Sequence, residues 1–290
     1  MAARLLNALL ILLDRKNSLS RRIRKGIDNP PPAPLPKSMH RVAQVNESEF
    51  MGRPLWILEP LDLVKRTIFY LHGGGYVSNM HKVHWGYIKD MIQANPGTRV
   101  IVPDYPLAPS TKATGVQDYL KALYHKYLDG IASDELVLMG DSAGGSLVLV
   151  MAAWMRDTLH RIPRSIISLS PALNGNLKMF WEQYEAFPDY FINAQGVWDA
   201  VQTYRGDLSA DDPIISPINL SYEGLPPIHL FMGTSEILLQ DSDALWVRAK
   251  ERQYDLSYYR FRGMQHVWPL FGVLPEAKVA REMIWKAIRA

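Results

Sequence analysis

Gly140-Asp141-Ser142-Ala143-Gly144-Gly145 follows directly on the apolar run Glu135-Leu136-Val137-Leu138-Met139, and Ser146 to Arg156 then reads as a largely buried helix. A strand that breaks into Gly-x-Ser-x-Gly and resumes as a helix has the form of a nucleophile elbow. The turn is so tight that the residues two places before and after the serine must be small. Gly140 and Gly144 stand there. Strain in the turn lifts the Ser142 hydroxyl off the sheet edge, and the next helix aims its N-terminal amides at the same point. The chemistry implied is acyl transfer to a serine oxygen.

Such a reaction places negative charge on a carbonyl oxygen, and a second motif is suited to hold it. Thr67-Ile68-Phe69-Tyr70-Leu71 is β-branched and aromatic, hence a strand, and it runs into His72-Gly73-Gly74-Gly75-Tyr76. Consecutive glycines let backbone approach a ligand closely with free amides. The expected oxyanion donors are the amides of Gly74, Gly75 and Ala143; removing one such donor costs about 100- to 1000-fold in rate. Gly73 and His72 belong to the supporting loop, with His72 as a brace rather than a base. Ser142 follows Gly75 by 67 residues, room for two intervening strand–helix units.

A serine hydroxyl needs a histidine to take its proton and a carboxylate to orient that histidine. After a strand–elbow–helix the acid and then the histidine follow in the chain. Of eight histidines, His229 and His266 are C-terminal to the elbow and lie in or at the end of a strand. His229 falls inside Ile228-His229-Leu230-Phe231-Met232 and reads as a core residue. His266 sits in the loop after the strand Leu256 to Phe261 and is the expected base. The acid belongs in the loop after Met232-Gly233, where Glu236, Asp241 and Asp243 compete. Glu236 comes first and can reach sideways to a histidine on the next loop. Asp241 is the alternative, although it also reads as the N-cap of a helix starting near Ser242. Asp243 suits that helix's first turn.

Together, His72-Gly73-Gly74-Gly75, Asp104-Tyr105-Pro106-Leu107-Ala108-Pro109, the elbow and Met264-Gln265-His266-Val267 resemble the bacterial hormone-sensitive-lipase-like esterases, over nearly the whole chain. The resemblance implies an α/β-hydrolase fold with a helical cap and carboxylesterase activity on fairly short acyl chains. It also implies Ser142, Glu236 and His266 as the triad, with Gly74, Gly75 and Ala143 as oxyanion amides. Two departures stand out. Pro106 and Ser110 replace an Arg and a Glu-His found in many relatives, and Glu236 stands where many carry Asp. The same triad could serve an amidase or arylformamidase, and some relatives are ligand receptors, though such receptors typically lack the histidine.

The elements around these residues alternate. Strands are expected near 39–46, 53–59, 66–71, 99–103, 135–139, 165–169, 227–232 and 256–261, with helices near 83–94, 114–128, 143–158, 241–253 and 275–288. This is the pattern of a mostly parallel sheet covered on both faces, with its site at the carboxyl ends of the strands. Residues 37–170 and 227–290 form the expected core. Residues 171–226 hold no clear strand and are rich in aromatics (Phe180, Trp181, Tyr184, Phe187, Tyr190, Phe191, Trp198, Tyr204), so they read as a helical cap over Ser142. In residues 1–36, the apolar Leu5 to Leu13 precedes six basic residues between Arg15 and Lys25 and a stiff Pro-rich connector. An apolar helix followed by a basic one suits an anionic membrane surface; the resemblance favours a cap helix instead.

At 290 residues and 48% hydrophobic, the chain can bury one large core, and a net charge of +3 gives no reason to expect nucleic acid as a partner. Zero cysteines exclude disulfides and fit a reducing compartment, the cytoplasm. No metal-ligand spacing or phosphate-binding loop appears, so no cofactor or metal is expected. The expected partner is a small uncharged ester of short to medium chain, and an exposed edge strand near the C-terminus suggests a homodimer.

Overall fold

The computed structural model describes residues 2–27, 29–177, 181–185 and 187–290. An eight-stranded sheet organises it: β1 (Ala43–Phe50), β2 (Arg53–Pro60), β3 (Arg66–Leu71), β4 (Thr98–Pro103), β5 (Leu136–Asp141), β6 (Ser165–Leu169), β7 (Ile228–Gly233) and β8 (Leu256–Phe261). Their order across the sheet is β1-β2-β4-β3-β5-β6-β7-β8. β2 pairs antiparallel with β1 and with β4, and all pairs from β4 to β8 are parallel. The first strand begins later than its composition suggests. Lys37–Arg41 is a 3-10 turn, and pairing runs from Ala43↔Pro60 to Phe50↔Arg53, so register with β2 sets its limits.

The parallel strands are apolar throughout because both faces are covered. Alternate side chains divide between two cores: Phe69, Leu71, Leu136 and Leu138 on one face, Ile68, Tyr70, Val137 and Met139 on the other. α4 (Ala113–Tyr127), α5 (Ala143–Leu159) and α8 (Leu239–Arg252) cover the first face; α3 (Lys82–Ala94) and α9 (Pro275–Arg289) cover the second.

Over the carboxyl ends of the strands lie α1 (Ala2–Leu12), α2 (Ser18–Arg24) and α7 (Ala194–Arg205), and the short α6 (Trp181–Glu185) packs against α7. Asn193 caps α7 by accepting from the Gly196 amide at 2.7 Å. It also ties α7 to the N-terminal segment, because Ser20 donates to Asn193 Oδ1 (3.0 Å) and Asn193 Nδ2 donates to Asn17 (2.7 Å). Gly196 permits the close approach: a Cβ there would lie 3.2 Å from Leu19 Cβ.

Candidate active site

Register in the sheet brings the site together. Leu71 pairs with Gly140, Asp141 with Leu169, and Gly233 with Phe261, so the loops after β3, β5, β6, β7 and β8 leave the sheet side by side. Ser142 follows β5 with φ 51° and ψ −121°, a conformation that costs about 1–3 kcal/mol for a residue with a Cβ. Its amide donates to Leu169 O (2.8 Å), and its carbonyl accepts from the Ser146 amide (3.1 Å). The surrounding glycines are obligatory: a Cβ on Gly140 would meet Gly144 C at 2.5 Å, and one on Gly144 would meet Leu71 O at 2.0 Å.

His266 Nε2 lies 2.9 Å from Ser142 Oγ, and its Nδ1 lies 2.8 Å from Glu236 Oε2. A carboxylate only accepts, so the proton sits on Nδ1 and leaves Nε2 free to accept from the serine hydroxyl. Glu236 is fully buried, and its second oxygen accepts from Ser170 Oγ (3.0 Å) and the Gly233 amide. Asp241 lies outside this hydrogen-bond chain. α8 starts at Leu239, not Ser242, so Asp241 lies in its first turn rather than at the N-cap. Both its oxygens accept from Tyr184 Oη at 2.8 Å, and burial, partly offset by Tyr184 and Asn174, pushes its carboxyl up to about 6. Asp243 accepts from Tyr258 Oη at 2.7 Å. His229 is half-buried and stacks on Tyr259, 6.2 Å between centroids.

The glycine loop bends sharply, with φ 133° at Gly74 and 63° at Gly75. Among the described residues, the amides of Gly74, Gly75 and Ala143 donate no hydrogen bond to side chain or loop backbone. His72 is buried behind this loop: its Nδ1–H donates to Gly73 O (2.8 Å), its ring stacks on Tyr105 at 4.5 Å, and Tyr105 Oη donates to His72 O (2.8 Å). Gly73 admits the neighbouring Asp141, whose Oδ2 a Cβ would meet at 2.4 Å. Burial alone would raise the Asp141 carboxyl, but His84 and the Tyr70 hydroxyl (2.6 Å) hold it below its ordinary value.

Several contributors were not legible in sequence. Ser170, at the end of β6, accepts from the Val267 amide (3.1 Å) while donating to Glu236, and so links the acid to the histidine's loop. A small polar residue ending a core strand was its only signal. Asp189 is buried and accepts from the amides of Phe191 (2.7 Å), Ile192 (3.0 Å) and Ile237 (3.0 Å), which joins residues 189–192 to the residue after Glu236. Burial, opposed by His266 and those amides, raises its carboxyl to about 6.

A cavity of about 560 Å³ opens above Ser142. Of the aromatics in residues 171–226, Phe191 lines it, its ring 5.9 Å from that of His266; Phe180 lies outside the described residues. Tyr184 serves Asp241, and Tyr204 stacks on Tyr76 at 3.9 Å. The remaining wall is mainly aliphatic: Leu6, Leu9, Leu10, Leu13 and Leu19 from the N-terminal segment, with Val197 and Val201 from α7. Arg15 also lines it, its guanidinium 4.3 Å above the Phe191 ring. Burial lowers the Arg15 pKa, against the pull of Asp189.

Residues 68–270 match the family described as alpha/beta hydrolase fold. The chain is 27% identical to an esterase of Acinetobacter venetianus over 74% of its own length and 72% of the relative's. Among solved structures, an esterase/lipase from an uncultured bacterium superposes with a TM-score of 0.74 at 29% identity, covering 94% of this chain and 96% of that one. An esterase from the bacterial hormone-sensitive lipase family gives 0.73 at 28% identity, covering 89% and 86%. With the motifs and sheet order in agreement, the chain belongs to the α/β-hydrolase family, among its hormone-sensitive-lipase-like members.

Proposed function

We propose that the protein is a serine carboxylesterase that acts through an acyl-enzyme on Ser142. The observation carrying this reading is the continuous Ser142–His266–Glu236 hydrogen-bond chain beside the amides of the glycine loop, which among the described residues donate to no side chain or loop backbone. Carboxylic ester hydrolysis is the activity of its relatives and of this chain. As Ser142 Oγ attacks the ester carbonyl, its proton passes to His266 Nε2, and Glu236 stabilises the imidazolium without taking the proton. The amides of Gly74, Gly75 and Ala143 receive the developing oxyanion. When the tetrahedral adduct collapses, the C–O bond to the alcohol breaks and His266 returns the proton to the leaving oxygen. Water then gives its proton to Nε2, attacks the acyl carbon and releases the acid, restoring Ser142.

Apolar walls in the cavity favour uncharged esters of short to medium chain. The N-terminal segment and residues 171–226 act as the cap. A fluorophosphonate should label wild type at Ser142, read by mass spectrometry, and fail to label Ser142→Ala. Ser142→Ala turning over a p-nitrophenyl ester at the wild-type rate would overturn the mechanism. In a chain-length series from acetate to palmitate, a maximum among the longest esters would overturn the substrate class.

A further inference from the structure

Among the described side chains, those from α1 and the residue after it divide between the cavity and the outside. Leu6, Leu9, Leu10 and Leu13 line the cavity above Ser142, whereas Ile11 and Leu12 are 61% and 82% exposed and take no part in it. Leu9 and Leu13 are themselves 49% and 62% exposed. Single apolar side chains on a surface need no explanation. Four large exposed side chains within five residues, at positions 9, 11, 12 and 13, are not isolated ones, and of these Ile11 and Leu12 lie on the side away from the cavity.

A cationic surface adjoins these side chains. Arg21 donates to both the carboxylate and the carbonyl of Asp14, which holds α2 beside the end of α1. Arg21, Arg24 and Lys25 are exposed, and Lys16 is partly so. The first 28 residues carry seven Lys and Arg against two Asp, while the rest of the chain is net acidic.

We propose that this end of the molecule docks on an anionic lipid surface. Ile11 and Leu12 enter the acyl region, and Lys16, Arg21, Arg24 and Lys25 sit at the level of the headgroups. α1, at 11 residues, is too short to span a bilayer, and no described helix is long and apolar enough to cross one, so the helix lies along the surface. A second copy of the chain fits this face poorly: a two-fold contact would press two cationic sets together. The opposite side of α1 is a wall of the cavity, so an ester dissolved in the lipid has a short apolar route to Ser142. That consequence rests on the esterase reading; the docking does not.

The test is co-sedimentation of the full chain with phosphatidylcholine vesicles, with and without phosphatidylglycerol, while the same samples turn over a short soluble p-nitrophenyl ester. Binding should require the anionic lipid and weaken as salt rises. The pair Ile11→Asp and Leu12→Asp should lower it tenfold or more, and Arg24→Ala or Lys25→Ala about fivefold each, all with soluble-ester turnover unchanged. An active wild type that ignores anionic vesicles, or binds neutral ones equally, overturns the docking, whether or not the variants fold. So does a stable dimer that the Ile11→Asp and Leu12→Asp pair dissociates. Wild type that binds anionic vesicles but hydrolyses nothing upholds the docking and sinks the esterase reading.

Discussion

Ser142 holds a left-handed φ of 51° because the hydrogen bonds on both sides of it, to Leu169 O and from Ser146 N, leave it no relaxed alternative. Its distance from His266 therefore depends on the elbow, while the orientation of His266 depends on Glu236. Glu236→Gln should lower kcat by about three to four orders of magnitude, since an amide no longer selects the tautomer with hydrogen on Nδ1. Asp241→Asn, against the Tyr184 hydroxyl, should leave kcat/KM within about threefold, because no catalytic contact is removed. Steady-state kinetics on both variants checks the pair, and the reverse order of losses would move the acid to Asp241.

Among the elements, the junction of β3, β5 and α5 tolerates least. A Cβ at position 144 would run into the Leu71 carbonyl, which is backbone of the central sheet and cannot move aside. At position 145 the nearest atom is the Ser168 hydroxyl at 2.7 Å, which can rotate. Gly144→Ala should yield insoluble or inactive protein. Gly145→Ala should fold, with thermal unfolding lowered by a few degrees, about 1 kcal/mol of strain in this size range. Comparable melting of the two variants would mean the elbow is looser than its contacts indicate. The aromatic stack of Tyr76 on Tyr204 couples the glycine loop to α7, so disturbance of α7 should reach kcat as well as KM.

Across the whole molecule, Asp189 and Asp241 make stability depend on pH. Both carboxyls titrate near 6 in the folded protein, raised from 3.8 chiefly by burial. Between those values the folded chain binds more protons than the unfolded one. The stability from keeping them neutral is therefore complete below about pH 4 and lost as pH rises through 6. Each shift is worth on the order of 2–3 kcal/mol. Urea unfolding of Asp241→Asn and wild type should give a difference that moves in the variant's favour by roughly that amount between pH 4 and 7. A difference constant with pH would remove Asp241 from this account.

That Ser142 and His266 would meet beside the glycine loop was legible because such an arrangement carries local signatures: a turn that only glycine permits and a loop at a strand's end. The alternation of strands and helices was legible for the same reason, since both faces of a parallel sheet must be apolar. What sequence left open is what depends on where distant segments meet. Glu236 rather than Asp241 meets His266 because the end of β7 lies beside the loop after β8, while Tyr184, from far along the chain, engages Asp241. Ser170 and Asp189 are ordinary polar residues until the sheet places them against the acid loop. The apolar residues from Leu5 to Leu13 read as a cap helix in preference to a membrane-surface one, and which of them face the cavity (Leu6, Leu10) and which face outward (Ile11, Leu12) is decided only by how the helix packs.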